Sequence, residues 1–517
     1  MLTRADRLAI ILSLLAVLAS AWVGSAIFEN IPHLEDEIAY VWQADAIAGG
    51  NLFLPSPDCP ECFLVPFVID HQEIRFGKYP LGWPALLAIS EWLDFRSWIN
   101  PLLAGLSAWL IYRLGKRLFG ETAAIFSLLL LITSPFFLLN TGSLLSHVWG
   151  LFLTVSFILG WLDSFSDQPT APRWLTVGVA ALSLGVLALT RPLTAVAVAI
   201  PFLIPGLKIM FLGTSEKRKR LVKMVVVAAA IASLYFLWQY AVTGDPLLNP
   251  YTLWWPYDRI GFGPGIGVMP EGHTPYYAWL NLKVTLRAAA GDMLGWDVYS
   301  WVLLPFGIIA LSKTRASWPV IAIFPSLVIC YLFYWIGAWL FGPRYYFEGL
   351  FTWFYLSSAG MIWLAGDWPT TGKPPFSHWR SRITYLIFAG LVIFANLYTY
   401  LPSRLNQMKG LYHASGERMA PFQSKEALAL TPAVVIVHPI DDWMEYGALL
   451  DLSNPYFNTA FVFTRSRGIE KDLTATGQFP DRQIFHYYPD ELFTLYTAPR
   501  PATTPLLPGP EQSTPAQ

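Results

Sequence analysis

Charged residues are scarce in this chain of 517 residues: only 13% are Asp, Glu, Lys or Arg, whereas 55% are hydrophobic. Soluble domains contain about 25% charged residues, so a fold that meets water on all sides is excluded. The net charge of −1 also lacks the basic excess that attracts nucleic acid over long distances. Most of the chain is therefore expected to lie in a lipid bilayer, and nucleic acid is not an expected partner.

Cysteine is also scarce, with three residues in the whole chain. Cys59 and Cys62 form a Cys-Pro-Glu-Cys motif, whereas Cys330 lies in an apolar run and is expected to be a small buried side chain. A zinc site needs four ligands, so the motif alone is weak evidence for a metal. A local disulfide is the favoured alternative if the motif lies outside the cell, where disulfides persist.

Long apolar runs define the membrane part of the chain. The first extends from Leu8 to Phe28 behind Arg4 and Arg7, and we interpret it as an uncleaved helix rather than a signal peptide, because it is long enough to span. Further apolar runs lie near 98–115, 120–140, 144–162, 174–190, 192–212, 221–243, 298–311, 317–341, 347–365 and 383–401. The sequence thus predicts an α-helical polytopic membrane protein with about eleven transmembrane helices.

The short basic loops predict how these helices are oriented. If the N-terminus is cytoplasmic, all of them fall on the cytoplasmic side, as the positive-inside rule requires. Their basic residues are Arg113, Lys116, Arg117, Arg173, Lys217, Arg218, Lys219, Arg220, Lys223, Lys313, Arg315, Lys373, Arg380 and Arg382. We therefore expect a multi-pass protein of the inner (plasma) membrane, with outer loops at 29–97 and 244–297 and an extracytoplasmic C-terminus.

The composition changes to that of a soluble protein from about residue 402. Ala433–His438 and Thr459–Thr464 are predicted strands, with a helix over Asp441–Leu450 between them. The predicted domains are a transmembrane domain over 1–401, a small extracytoplasmic α/β domain over 402–496, and a disordered tail rich in Pro and Thr over 497–517.

Three consecutive acids, Glu35, Asp36 and Glu37, stand near the start of the first outer loop, where a helix is predicted from Glu35 to Ile47. Adjacent helical positions point about 100° apart, so Asp36 and Glu37 cannot easily share one task. A carboxylate in a partly dehydrated cleft can act as a general base toward a hydroxyl group. The alternative is a helix lying along the membrane surface whose first-turn acids interact with the helix dipole.

Arg75 and Lys78 follow later in the same loop, just before a second predicted interfacial helix from Trp83 to Trp92. Cations on the same side as a carboxylate cleft suit a substrate that carries a phosphate. The alternative is that both side chains extend toward anionic lipid headgroups.

Two arginines, Arg191 and Arg344, occupy outer positions that the positive-inside rule disfavours, and Tyr345 follows the second of them. A local negative group must compensate each arginine. A substrate phosphate or the acids of the first loop would do so, and an ion pair with Glu348 or Asp245 is the alternative.

Four further residues are candidates on the outer side. His147 lies near the outer end of its span, where a hydrogen-bonded structural role is the main alternative to a role in the site. Trp254, Trp255 and Tyr257 could contact a sugar ring or a lipid tail, or belong to the aromatic belt of the membrane interface. His33 with the neighbouring acids could hold a divalent cation, but the spacing is unspecific, so neither a metal nor another cofactor is required.

The Asp-Glu pair at a helix start, followed some forty residues later by a Lys-Tyr-Pro-Leu-Gly-Trp-Pro segment that begins at Lys78, resembles the polytopic C-type (GT-C) glycosyltransferases. The similarity is to the group of protein O-mannosyltransferases and lipid A aminoarabinose transferases. It is strongest over 31–90 and more diffuse around Arg191 and Arg344. The resemblance implies that Asp36 is the catalytic base and that Lys78 contacts the donor phosphate. Tyr40, at helical spacing from Asp36, is a candidate contact for the sugar or the lipid.

The same resemblance implies the reaction: a sugar passes from a polyprenyl-phosphate-linked donor to an acceptor hydroxyl on the outer face, with inversion. Lys78, Arg191 and Arg344 would stabilise the departing phosphate without a metal. The family's usual Pro-Pro is Tyr79-Pro80 here, and Ser146-His147 stands at the position near the end of the fourth span that is often acidic in relatives. The sugar and the acceptor, whether lipid, glycan or protein, are therefore not transferable from the resemblance.

A transporter, flippase or binding protein for lipid-linked sugars is the alternative function. Such a protein should carry charged or broken helices near the middle of the membrane. The sequence predicts unbroken spans with ionisable residues at their outer ends, which favours the enzyme.

Overall fold

The computed structural model describes residues 2–312, 314, 317–366, 379–440 and 443–500. The chain divides into two compact units, the first formed by Met1–Leu54 and Phe67–Leu411 and the second by Pro55–Pro66 and Tyr412–Gln517. The second unit includes a segment of the first outer loop, 55–66, in addition to the predicted C-terminal domain. Residues 501–517 of the predicted tail, together with Lys313, Arg315 and Lys373, lie outside the described residues.

The first unit is mainly helical. Its helices are α1 Arg4–Ala26, α2 Glu35–Ala48, α3 Gly82–Trp92, α4 Arg96–Phe119, α5 Glu121–Ile132, α6 Pro135–Gly142, α7 His147–Phe165, α8 Arg173–Thr190, α9 Pro192–Leu212, α10 Ser215–Ala232, α11 Leu234–Thr243, α12 Tyr251–Trp254, α13 Pro275–Asp292, α14 Leu304–Leu311, α15 Trp318–Ile321, α16 Ile323–Tyr331, α17 Leu350–Leu364, α18 Trp379–Ala395 and α19 Leu401–Asn406. Single-turn 3₁₀ or π segments cover Asp297–Trp301, Arg344–Gly349 and Asn396–Tyr400.

Six stretches of helix in the described chain are long and apolar enough to cross a membrane. They are Arg4–Ala26, His147–Phe165, Arg173–Thr190, Pro192–Leu212, Ser215–Thr243 and Leu386–Asn406. Two helix pairs with a sharp bend raise the number to eight if each pair counts as one span. The predicted spans near 98–115 and 347–365 form α4 and α17, which are outside this set, so the number of about eleven stays a prediction.

The expectation of an unbroken span is wrong for 120–140, which forms α5 and α6, and the second bent pair begins with α13 inside the predicted outer loop 244–297. The axes of α5 and α6 differ by 61°, and α13 makes an angle of 94° with the following 297–311 stretch. Pro135 explains the first break, because proline has no amide hydrogen with which to continue α5. Ser134 caps the new helix, since its side chain accepts a hydrogen bond from the Phe137 amide.

The predicted first outer loop contains α2, a short strand β1 (Leu54–Pro55), the antiparallel strands β2 (Val68–His71) and β3 (Ile74–Gly77), and α3. The helices predicted over 35–47 and 83–92 are thus present within one residue of their expected ends. Gln43 on α2 donates a hydrogen bond of 2.9 Å to the Tyr79 carbonyl just after β3. At the start of α3, a Cβ on Gly82 would come within 2.3 Å of Thr190 at the end of α8. Glycine therefore permits the close approach of α3 to the α8–α9 junction.

The second unit is built on a four-stranded sheet. Its strands are β4 Ala433–Val437, β5 Phe461–Arg465, β6 Gln483–Tyr487 and β7 Leu495–Tyr496, in the order β5-β4-β6-β7. β4 pairs in parallel with β5 and β6, and β7 is antiparallel to β6. Its helices are α20 Gly416–Gln423, α21 Lys425–Leu428, α22 Met444–Gly447 and α23 Ile469–Gly477. The helix predicted over 441–450 begins in residues that are not described and continues as α22 and a 3₁₀ segment, Ala448–Leu452.

The segment 55–66 supplies part of the core of this second unit. Cys59 and Cys62 form a disulfide, and both pack with Phe63 against Val434 and Val462 of the sheet. Apolar burial therefore explains why this piece of the loop joins the C-terminal residues. The alternative in which the two cysteines ligate a metal is not what the structure shows.

Candidate active site

A cavity of about 270 Å³ opens within the first unit, between residues of the predicted first outer loop and residues near the ends of several helices. Predicted site residues from six separate segments line it: Asp36, Tyr40, Lys78, His147, Arg191, Trp255, Arg344 and Tyr345. The cavity therefore collects one predicted base and three predicted phosphate-binding cations in one place.

Four other predicted site residues, all within the described chain, do not line this cavity: Glu37, Arg75, Trp254 and Tyr257. Arg75 forms an ion pair of 3.3 Å with Asp70 across the β2–β3 hairpin. Trp254 packs edge-on against Phe67, and Tyr257 stacks on Trp255 with 6.0 Å between ring centroids. Trp254 and Tyr257 thus pack against two aromatic side chains of the cavity wall, Phe67 and Trp255.

Asp36, in the first turn of α2, is held by two donors. Arg344 Nη1 donates a hydrogen bond of 2.8 Å to Asp36 Oδ2, and the Tyr79 hydroxyl donates to Asp36 Oδ1. Burial alone would raise the pKa of Asp36, but the positive charges of Arg344 and Lys78 and these hydrogen bonds lower it below its usual value. Asp36 is therefore an ionised carboxylate whose charge is already compensated.

Glu37 points into the protein instead of the cavity, and only 2% of the residue is exposed. Its Oε2 accepts hydrogen bonds of 2.9 Å from the amides of His33 and Leu34, and its Oε1 accepts one of 2.6 Å from the Leu144 amide. Burial nevertheless raises its pKa to about 7. Glu37 thus caps α2 and ties this helix to the turn before α7, while its neighbour Asp36 faces the cavity.

Lys78 follows β3, and its amide donates a hydrogen bond of 3.0 Å to the Phe67 carbonyl. Its ammonium nitrogen lies 3.4 Å from the centroid of the Phe67 ring and 4.9 Å from those of Tyr251 and Trp255. Only 3% of the residue is exposed. Burial lowers the pKa of Lys78 to about 8, although nearby carboxylates, Asp258 foremost, oppose the shift.

Asp258 is the acid beside this lysine, and sequence reasoning did not single it out. Its Oδ2 lies 3.8 Å from Lys78 Nζ, and its Oδ1 accepts hydrogen bonds of 3.0 Å from Tyr334 and from Trp335. The signal in the sequence was an acid inside a Trp-Trp-Pro-Tyr-Asp-Arg segment. The aromatic residues of that segment are typical of a membrane interface, and this pattern gives the acid no separate role.

Arg191, at the junction of α8 and α9, is compensated by Glu348. Arg191 Nε lies 3.0 Å from Glu348 Oε1, and Glu348 is fully buried. This is one of the two alternatives that the sequence left open. His147 Nε2 lies 3.5 Å from Arg191 Nη1, and its Nδ1 lies 3.8 Å from the same Glu348 oxygen. His147 and Arg191, which both line the cavity, therefore share one buried carboxylate.

Aromatic side chains complete the wall. Tyr345 stacks on Tyr331 with 4.8 Å between ring centroids, and Tyr331 also accepts a hydrogen bond of 3.1 Å from Arg191 Nη2. Tyr40 packs against Tyr79 at 4.5 Å, and its hydroxyl lies 3.2 Å from the hydroxyl of Ser146. Flat rings beside charged groups suit a ligand that has both an apolar and an anionic part.

The described residues contain no group of three or more His, Cys, Asp or Glu side chains arranged to hold a metal ion. The chemistry that the cavity offers is therefore considered below in terms of its carboxylates, cations and aromatic rings, and the absence of a metal requirement stays a prediction.

No protein-family model matches the sequence, and no curated protein matches it. Solved structures do. ArnT from Cupriavidus metallidurans bound to undecaprenyl phosphate is 14% identical over 90% of this chain and 88% of ArnT, with a TM-score of 0.55. ArnT in the apo state gives 12% identity over 91% of this chain and 88% of ArnT, with a TM-score of 0.53.

The oligosaccharyltransferase from Archaeoglobus fulgidus, in its apo form, is 14% identical with a TM-score of 0.52. The match covers 87% of this chain but only 65% of the oligosaccharyltransferase. At such low identity these likenesses establish the fold and leave the activity open. The resemblance inferred from the sequence is confirmed at this level: the chain has the fold of the C-type glycosyltransferases, to which ArnT and the archaeal oligosaccharyltransferase belong.

Proposed function

We propose that the protein is a membrane glycosyltransferase that transfers a sugar from a polyprenyl-phosphate-linked donor to an acceptor hydroxyl in the cell envelope. The observation that carries the proposal is that Asp36 and three cations, Lys78, Arg191 and Arg344, line one cavity. A fold shared with ArnT bound to undecaprenyl phosphate supports a lipid phosphate as the anionic part of the donor.

The proposed chemistry is a single displacement at the anomeric carbon. The acceptor oxygen forms a bond to this carbon as the bond to the phosphate oxygen breaks, and the acceptor proton passes to Asp36. The polyprenyl phosphate leaves with its negative charge stabilised by Lys78, Arg191 and Arg344. Attack from the side opposite the leaving group inverts the anomeric configuration.

Because Asp36 and Arg344 are in contact in the structure, binding of the sugar donor would also change the basicity of Asp36 in this scheme. A carboxylate that is held by an arginine is a weak base, because its charge is already stabilised. A donor phosphate attracts the same guanidinium, since phosphate oxygens bind arginine well. Donor binding would thus loosen Arg344 from Asp36 and raise the pKa of the carboxyl in the complex that needs a base.

The topology that accompanies the proposal has about eleven spans, a cytoplasmic N-terminus, and the cavity and the C-terminal α/β domain on the outer side. The charges of the short loops support this arrangement, because the basic loops alternate with the segments that bear the site. Donors linked to a lipid remain available there, whereas nucleotide sugars do not. The acceptor belongs to a lipid, a glycan or a protein, and the bilayer itself is the other partner.

A transporter or flippase for lipid-linked sugars is the second candidate, and the two bent helix pairs are the observation that favours it. The charge nearest to the second break argues against a transport site there. Asp292, at the end of α13, accepts hydrogen bonds of 2.9 and 3.0 Å from Arg404 and one of 2.9 Å from Tyr400. These contacts satisfy the carboxylate within the protein and leave it little capacity for a ligand.

A vesicle assay distinguishes the two functions. Purified protein is reconstituted with labelled polyprenyl-phosphate sugars extracted from the source cells, and envelope material from a deletion strain serves as the acceptor. A transferase moves label into the envelope material and releases polyprenyl phosphate, and inactivation of the cavity by Asp36→Asn stops both. A flippase changes the side on which the labelled lipid is accessible and leaves its sugar attached.

A further inference from the structure

Asp258 and Lys78 form a buried pair of opposite charges that does not amount to a hydrogen bond. Each residue is 3% exposed, and the distance of 3.8 Å between Asp258 Oδ2 and Lys78 Nζ exceeds hydrogen-bond length. Opposite charges still attract strongly at this distance where little water is present. The ammonium therefore keeps donor capacity for a ligand while its charge is balanced.

One oxygen of the Asp258 carboxylate, Oδ1, is held by two hydrogen-bond donors. The Tyr334 hydroxyl and the Trp335 indole nitrogen both donate to Oδ1, at 3.0 Å each, whereas Oδ2 is buried without a hydrogen-bond partner. A buried carboxylate oxygen without a donor lowers folding stability, because it has given up its hydrogen bonds to water. An oxygen kept in this state, and facing a lysine, indicates a function other than stabilising the fold.

The other neighbours of Lys78 do not replace this carboxylate. The rings of Phe67, Tyr251 and Trp255 attract a cation but bring no net charge. Asp36 also favours the charged form of Lys78, but it is paired with Arg344, whose own positive charge opposes the protonation of Lys78. The remaining facing groups are Glu35, which favours the charged form of Lys78, and the Tyr79 ring, 5.2 Å from Nζ. Asp258 makes the largest favourable contribution among the carboxylates.

We propose that Asp258 is a positioning residue for the phosphate of the donor: it holds the Lys78 ammonium in its aromatic cage and keeps it protonated. An anionic lipid phosphate then meets a preformed cation instead of a neutral amine. The inference rests on the proposed function, because it assumes that Lys78 binds the phosphate. Asp258 also repels the phosphate, and this repulsion would appear as tighter phosphate binding by Asp258→Asn.

The test is the affinity of the purified full-length protein for undecaprenyl phosphate at pH 6, 7, 8 and 9. Wild-type affinity should fall only above about pH 8, where Lys78 loses its proton. Asp258→Asn should bind nearly as well as wild type at pH 6 and about fivefold more weakly at pH 8, because its loss of affinity with rising pH begins about one pH unit lower. Asp258→Glu restores the negative charge, so its affinity should fall with rising pH nearly where that of the wild type does.

The matched control is Asp245→Asn, the same chemical change at an exposed residue of the same outer segment. It should keep the wild-type profile. If Asp258→Asn is unstable, Tyr334→Phe serves instead, since it removes one of the two donors that fix Oδ1 and should shift the pH at which affinity falls in the same direction by less.

Two results would overturn the inference. Equal or tighter binding by Asp258→Asn at every pH would mean that the carboxylate only repels the phosphate. An equal loss at every pH would mean that it acts through the general shape of the cavity. Failure of the proposed function is separate: if Lys78→Ala leaves the affinity for undecaprenyl phosphate unchanged at pH 6, Lys78 does not bind the phosphate at all.

Discussion

Arg344 Nη1 lies 2.8 Å from Asp36 Oδ2, across 308 positions of sequence. The contact joins the 3₁₀ segment before α17 to the first turn of α2, and both side chains remain partly exposed, at 20% and 22%. The acid that compensates Arg344, an arginine predicted to lie on the outer side, is thus one of those in the predicted first outer loop. This pair links the proposed base to the proposed phosphate site.

Arg344→Gln is expected to shift the pH dependence of transfer as well as its rate. Without the guanidinium charge, burial of Asp36 is less opposed and its pKa rises, so the ionised base is lost at a higher pH on the acid side. We expect kcat/KM to fall about 100-fold, the effect of removing one charge-stabilising donor. The measurement is kcat/KM between pH 4 and pH 7.

Arg344→Lys is the matched control, because it keeps the positive charge and loses the second donor of the fork. In this variant kcat/KM should be lower than in the wild type but should decline at the same acidic pH. If kcat/KM of Arg344→Gln declines at the same acidic pH as that of the wild type, Arg344 does not set the basicity of Asp36.

Lys78→Arg should remove the alkaline limb of donor binding. Burial lowers the pKa of Lys78 to about 8, so the lysine charge is complete at acidic pH and is lost as the pH rises through 8. A guanidinium stays charged throughout this range. Affinity for undecaprenyl phosphate, normalised to its value at pH 6, should therefore stay flat up to pH 9 in the variant. A decline identical to that of the wild type would assign the limb to another group.

Glu37 should matter for stability more than for chemistry, even though it stands next to Asp36. Glu37→Ala leaves three buried amides, those of His33, Leu34 and Leu144, without their acceptor. The loss is roughly 3 kcal/mol or more of unfolding free energy. The melting temperature of the purified protein should fall clearly, while the folded fraction keeps measurable transfer activity.

Glu73→Ala, at an exposed position of the β2–β3 turn, is the control and should leave the melting temperature unchanged. Complete loss of transfer in a Glu37→Ala protein of wild-type stability would instead give Glu37 a part in the reaction.

The disulfide between Cys59 and Cys62 should stabilise the second unit. The bridge closes a very short loop, so its contribution in the chain-entropy view is about 2 kcal/mol. Replacing both cysteines with alanine should increase the cleavage of 412–500 by a dilute protease in the full-length protein. Cys330→Ala, which changes a buried free cysteine of the first unit, should have no such effect. Unchanged cleavage in the double variant would show that the 55–66 segment holds its place by packing alone.

The sequence predicted those features that depend on local pattern. The spacing of Asp36 and Tyr40 predicted α2, and the acids near its start were expected to divide their tasks because adjacent helical positions diverge. The positive-inside rule identified Arg191 and Arg344 as residues in need of a local partner, and both have one. In each case the governing physics acts within a few residues or across the membrane as a whole.

Features that depend on long-range packing were not predictable. Asp258 becomes important only because the fold brings it against Lys78, and nothing near it in the sequence reports that distance. The break before Pro135 was hidden because apolar composition continues across it. The 55–66 segment leaves the loop to join a sheet formed more than 360 residues later, so its location is a property of the completed core.

The most direct test of the account is transfer by Asp36→Asn, measured with labelled polyprenyl-phosphate sugar and deletion-strain envelope together with the affinity for the donor. Asparagine keeps the shape and can still accept the hydrogen bond from Tyr79, but it cannot take up the acceptor proton. The account predicts that transfer becomes undetectable while the melting temperature and the donor affinity stay within about threefold of wild type. Wild-type transfer by a folded, donor-binding Asp36→Asn protein would contradict it.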